Sequence, residues 1–193
     1  MFLIDLFVYV AIAGGTDTVV KIKGNFYKSL KAVVDINGLF SNKIEVKGDK
    51  AVIGSACVMN TIAENSVIVE NFPALAQAAA SIAAVQIRNA ATIGGNVGNS
   101  SPVGDTIPAL FSVEAEVNIV SAEGKRSVPI NEFFTGVGRN VLKPGELIES
   151  FSIPMRQTKG SFMKIGERQA LAISKINMAL SPWNDGKQHY RIG

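Results

Sequence analysis

The chain of 193 residues holds one cysteine, Cys57, and one histidine, His189. One cysteine closes no internal disulfide, which fits a reducing compartment and points to the cytoplasm. Cysteine and histidine are too few to hold an iron–sulfur cluster or a zinc site of thiolate and imidazole ligands. Any redox chemistry must therefore use an organic cofactor bound without a covalent link, or metal centres on another chain. Charge is sparse as well: 18 % of residues are Asp, Glu, Lys or Arg, and the formal charge of +3 is scattered rather than gathered into a nucleic-acid patch. The apolar opening, Met1–Ala13, carries only Asp5 as a charge. It lacks the positive start of an export signal and is too short to cross a bilayer, so it reads as a buried strand with no membrane span. No P-loop motif occurs, and no G-x-G-x-x-G opens a helix.

What is present is a globular pattern, with 47 % hydrophobic residues and enough material for a core. Thr18–Lys23 predicts a helix after the first strand, and Ala32–Ile36 a short buried strand. Lys43–Lys47 and Ala51–Gly54 flank Gly48-Asp49 as a hairpin; Glu116–Val120 and Arg126–Ile130 flank Glu123-Gly124 as another. Helices are expected to start at Thr61–Glu64, to run over Phe72–Val85 with Pro73 near the beginning, and to occupy Pro108–Phe111. Glu146–Ile153 reads as a strand, Arg156–Gly160 as a linker, and Ser161–Ile165 and Ile173–Leu180 as the opening of a further unit. The pattern is α+β.

Two glycine segments carry the candidate chemistry. Ala13-Gly14-Gly15-Thr16-Asp17 follows a strand, and Thr92-Ile93-Gly94-Gly95-Asn96 lies in a long Gly/Asn/Ser-rich stretch, Thr92–Asp105, expected to be a functional loop. Glycine lets backbone N–H groups approach a phosphate closely, and successive N–H groups make an anion nest. Either segment alone is also an ordinary turn. Two such segments facing each other would hold a diphosphate from both sides.

The stretch Gln86–Asn96 closely resembles the IRNxATIGGN signature of the flavin subunits of the molybdenum hydroxylases, the xanthine dehydrogenase/carbon monoxide dehydrogenase family. Ser101–Leu110 resembles the SPxxDxxPAL segment that follows it, Ala13–Asp17 the AGGTD loop, Asp35–Leu39 the D-I-x-x-L strand, and Phe162–Arg168 the F-x-K-x-x-x-R start of the third subdomain. The resemblance implies a two-part FAD-binding domain of the vanillyl-alcohol oxidase (PCMH) type followed by the start of a C-terminal α+β domain. The divisions expected are residues 1–50, 51–155 and 156–193. Only twelve residues precede Ala13, fewer than the family carries, and most of the family's C-terminal domain has no counterpart, so the chain reads as truncated at both ends.

By resemblance, Ala13, Gly14, Gly15, Thr16, Asp17 and Thr18, with Thr92, Ile93, Gly94, Gly95 and Asn96, hold FAD. Asp105, Ile148 and Lys164 match further cofactor contacts, and Ile82 falls where some members place an aromatic residue. The chain would take electrons from [2Fe–2S] clusters on a small subunit, fed by a molybdopterin-binding large subunit, and pass them to NAD+ or another acceptor. No acid–base pair and no metal site are expected here. A fragment that associates with partners without FAD is the alternative; a stand-alone oxidase would need a substrate domain that the remaining residues cannot supply. Plainer roles stand beside these. Asp17 and Asp105 could cap helices, Arg88 could anchor the long loop, and Lys164 could be a solvated strand residue. Cys57 reads as a core thiol, His189 as exposed and inert, and Trp183 as packing of the third subdomain.

Overall fold

A computed structural model describes residues 9–156, 158–168, 171–184 and 186–193. The part of the expected first strand on Met1–Val8 lies outside the described residues. Elements are numbered in chain order.

A small lobe comes first. β1 (Tyr9–Ile12) pairs in parallel with β2 (Ala32–Asp35), and α1 (Thr18–Lys23) makes the crossover. The glycine segment Ala13–Asp17 is the turn from β1 into α1. Both strands were expected to be buried, yet β2 is exposed along its whole length and β1 is at most half-buried. Their β-branched residues earn strand geometry, but a two-stranded ribbon whose crossover helix buries no residue has too little cover to exclude water.

The main body is a five-stranded antiparallel sheet in the order β3-β4-β9-β5-β6. Its strands are β3 (Ile44–Lys47), β4 (Lys50–Gly54), β5 (Glu116–Ser121), β6 (Gly124–Pro129) and β9 (Leu147–Pro154). Both hairpins form where the alternation places them, and β9 inserts between β4 and β5 with Phe151 opposite Ile53 on one side and Val117 on the other. These three side chains share one core with the helices α2 (Met59–Glu64), α3 (Ser66–Asn71), α4 (Pro73–Ala80) and α7 (Thr106–Ser112). Phe72, Phe133 and Phe151 are its largest fully buried members, each contributing about 1.5–3 kcal/mol of transfer free energy. A third sheet, β10 (Ser161–Gly166), β11 (Ser174–Asn184) and β12 (Gln188–Ile192), lies against α4 and α7 and puts Phe162 and Ala179 into the same core.

Four expectations need correction. The helix expected over Phe72–Val85 stops at Ala80, where Ser81 turns the chain and Ala83 takes φ 38°; a separate short helix, α5 (Val85–Arg88), follows. The stretch read as one loop, Thr92–Asp105, contains α6 (Ile93–Asn99), started by the Thr92 hydroxyl, which accepts from Gly95 N at 3.1 Å. The linker reading of Arg156–Gly160 gives way at Thr158, which is buried and donates from both N and Oγ1 to the Asn71 carbonyl. His189, expected to be exposed, is half-buried and stacks on Trp183 with ring centroids 5.0 Å apart, because the β11–β12 register sets the two opposite each other. Helix α3, the short helix α8 (Ile130–Phe133) and the small hairpin β7 (Phe134–Gly136) with β8 (Arg139–Asn140) are additions that the sequence did not announce.

Candidate cofactor cleft between the two lobes

The turn from β1 to α1 runs against the segment leading into α6. A Cβ on Gly14 would sit 1.7 Å from the Ala90 carbonyl oxygen, so only glycine allows the two chains to meet; Gly15 has φ 72°. Across the junction lies a cleft of about 470 Å³, within the range of small-molecule sites. Ala13, Gly14, Gly15, Thr16, Asp17 and Thr18 line one wall, and Thr92, Gly94, Gly95 and Asn96 line the other. The two glycine segments therefore share one cleft.

Their backbone donors differ. Among the described residues, the N–H groups of Gly14, Gly15, Thr16 and Asp17 meet no acceptor, so the first turn presents a run of unspent amides. The expectation that the second segment does the same fails for the amides of Ile93, Gly94, Gly95 and Asn96, the last of which donates to Thr92 O. Ile93 N donates to Cys57 O and Gly94 N to Ser55 O, both at 2.9 Å, and Gly95 N donates to the Thr92 hydroxyl. That wall instead offers a side chain. Asn96 Oδ1 accepts from Thr106 Oγ1 at 2.6 Å, which leaves its carboxamide NH2 as the donor end. Gly94 is needed for packing, since a Cβ there would lie 2.8 Å from that of Ser55.

The remaining sequence candidates divide. Ile148 lines the cleft. Ile93 is fully buried in the core and does not. Asp105 and Lys164 do not line it either; they form their own buried node, with Lys164 Nζ 2.8 Å from Asp105 Oδ2. Lys164 Nζ also donates to the Ser81 carbonyl at 2.6 Å, while Asp105 Oδ1 accepts from Ser174 Oγ at 2.5 Å and Asn177 Nδ2 at 3.1 Å. Lys164 is thus paired rather than solvated, and Asp105 makes no side-chain cap to α7. This node lies one residue from Thr106, the partner of Asn96. Asp17 stands at the N-cap position of α1 without capping it; its Oδ1 accepts from Asn99 Nδ2 at 3.1 Å. Ile82 packs half-buried against the core, outside the cleft. Arg88 donates to the carbonyls of Ile82 and Ala83, so it anchors the turn after α4 and not the long loop.

Sequence reasoning missed Lys21, Ser55, Asn99 and Glu146, all of which line the cleft. Glu146 is chelated by Arg126, whose Nε and Nη2 donate to it at 2.7 Å each, and it accepts from Lys143 N. The guanidinium first, and the backbone donor second, hold its carboxyl down at about 2. Burial pushes the Cys57 thiol up to about 11. Among the described residues no three Asp, Glu, His or Cys gather as a metal site, and no helix is long and apolar enough to cross a membrane.

A mixed helix-and-strand scaffold thus carries a glycine turn that opens on a cleft between its lobes. Residues 9–156 match the family described as the FAD binding domain in molybdopterin dehydrogenase, and the chain belongs to that family. It is 35 % identical over 173 residues to the xanthine dehydrogenase FAD-binding subunit of Escherichia coli O157:H7, covering 87 % of this chain and 59 % of that protein. It is also 35 % identical to the nicotinate dehydrogenase FAD-subunit of Eubacterium barkeri, over 86 % of this chain and 57 % of that one. The chain thus spans less than two thirds of the length of these relatives. Its fold superposes on carbon monoxide dehydrogenase from Hydrogenophaga pseudoflava with a TM-score of 0.87 at 28 % identity, covering 95 % of this chain and 65 % of that one.

Proposed function

We propose that this chain binds FAD with the diphosphate against the Gly14–Asp17 turn and Asn96, and that it serves as the electron-transfer part of a molybdenum hydroxylase. The observation that carries this reading is the run of unspent amides at Gly14–Asp17, facing Thr92–Asn96 across one cleft. Thr16, Thr18, Thr92 and Asn96 add side-chain donors along the same walls, and Ile148 borders the cofactor. Asp105 and Lys164, outside the cleft, are proposed to act on the cofactor through Thr106 and Asn96, whose side chains are bonded. The flavin, when bound, supplies hydride and single-electron chemistry; the protein holds it, orients it and sets its electrostatic surroundings.

In the complex we propose, a molybdopterin-binding large subunit and a [2Fe–2S] small subunit supply electrons, and NAD+ or another acceptor removes them, in the cytoplasm. The names of the relatives, subunits of xanthine and nicotinate dehydrogenases, support an oxidoreductase of this kind. Purified chain titrated with FAD tests the reading. Uptake of one equivalent, with the yellow absorbance of bound flavin, is expected. Colourless protein that stays free of FAD in excess cofactor overturns it in favour of a fragment that assembles without flavin. Pull-down from the source cell should bring down a cysteine-rich small chain and a large chain.

A further inference from the structure

We propose that Lys21 is the cationic partner of the cofactor's diphosphate and that Asn99 is the residue that positions it; this rests on the FAD reading above. Lys21 lies in the last turn of α1, in the small lobe, and Asn99 is the final residue of α6, in the main body; both line the cleft. Its Nζ donates to Asn99 Oδ1, and Asn99 Nδ2 donates to Asp17 Oδ1 at 3.1 Å. One carboxamide thus ties the small lobe to the main body at two points, 78 and 82 residues away in sequence.

The chemistry of that tie is specific. A neutral carboxamide accepts from an ammonium and donates to a carboxylate at once, and it cancels neither charge. A direct Lys21–Asp17 ion pair would have neutralised the lysine, and no such pair occurs among the described residues. Among the described residues, the charged side chains lining the cleft are Asp17, Lys21 and Glu146. Glu146 is chelated by Arg126 and engaged by Lys143 N. Asn99 occupies Asp17. Lys21 spends one of its three N–H donors on Asn99, and its Nζ lies 5.6 Å from the Phe26 ring centroid. Among the described residues it is the cation that lines the cleft beside the unspent amides of Gly14–Asp17.

The test is FAD and ADP titration of the full chain at a series of NaCl concentrations, on wild type and on Lys21→Gln, Lys21→Arg and Asn99→Ala. Lys21→Gln is expected to raise Kd for both ligands about tenfold at low salt, the scale of one charge-assisted hydrogen bond, and to flatten the dependence of log Kd on log salt. Lys21→Arg should restore most of the affinity and the salt slope. Asn99→Ala should weaken binding while keeping part of the slope, because the charge remains but is no longer held. Circular dichroism melts of the apo variants check that each stays folded at the titration temperature, as expected for Lys21 on a helix that buries no residue. Wild-type affinity and salt slope in Lys21→Gln, or wild-type binding that ignores salt altogether, overturns the assignment while FAD uptake stands. A wild-type chain that takes up neither FAD nor ADP overturns the FAD reading and this one with it.

Discussion

Gly14→Ala is the sharpest single perturbation of the cleft. The added methyl would lie 1.7 Å from the Ala90 carbonyl oxygen and 2.5 Å from its carbon, both backbone atoms that no rotamer change can move. An ordinary C···O contact is about 3.3 Å, so the turn or the Ala90 segment must retreat by roughly 1.6 Å. That shift exceeds what a hydrogen bond tolerates, and the amides of Gly14 and its neighbours lose their common aim. Loss of one charge-assisted bond, about 1.5–3 kcal/mol, raises Kd for FAD by about 10- to 100-fold. Overpacking at the junction destabilises the apo fold by about 1–3 kcal/mol. The control is Gly98→Ala, also at the cleft, where the new Cβ meets only the Ile148 side chain at 3.6 Å. There the helix should gain about 0.5–1 kcal/mol, in contrast to the loss at Gly14. Isothermal titration with FAD and thermal melts of both variants read the contrast. A Gly14→Ala chain that binds and melts like wild type would refute the close-approach argument.

Three further outcomes are expected. Lys164→Met leaves Asp105 buried with its cation gone and should cost about 3–5 kcal/mol in chemical denaturation, while the double variant with Asp105→Asn recovers part of that loss. The Glu146 carboxyl is held at about 2, against an ordinary 4.5. A depressed folded-state value means stabilisation that is complete above about pH 4.5 and is lost as pH falls towards 2, so Glu146→Gln should remove that part of the acid-unfolding slope. Cys57, fully buried with its thiol at about 11, should react with a disulfide reagent at neutral pH only at the rate of unfolding, and reaction in seconds would contradict its burial.

Local pattern carried the sheet. The alternation in Lys43–Lys47 and the turn at Gly48-Asp49 are hairpin chemistry that needs no distant contact, and β3–β4 forms there. The end of α4 was not legible, because Ser81-Ile82-Ala83-Ala84 holds neither glycine nor proline; the stop is enforced from a distance, by Arg88 on the Ile82 and Ala83 carbonyls. Helix α6 was hidden for the converse reason. Gly94, Gly95 and Gly98 argue against helix, and the segment winds because Thr92, Ser55 and Cys57 take its first amides. The two glycine segments were readable as candidates, and that they meet depends on Gly14 lying against Ala90. Lys21 and Asn99 were invisible as a pair, since nothing local links residues 78 apart.

The contact of β10–β12 with α4 and α7 bears on how the chain can be cut. Phe162 and Ala179 complete the layer over those helices, Ser112 and Ser181 share a buried hydroxyl bond of 2.8 Å, and Gln77 Oε1 accepts from Phe162 N. The family match stops at residue 156, before Phe162, Ala179 and Ser181. An expression fragment ending there would uncover the faces of α4 and α7 against which the sheet packs and leave Ser112 without its mate. The last sheet and the layer beneath it are therefore expected to melt together as one cooperative unit, and a fragment that keeps them intact must run through β12.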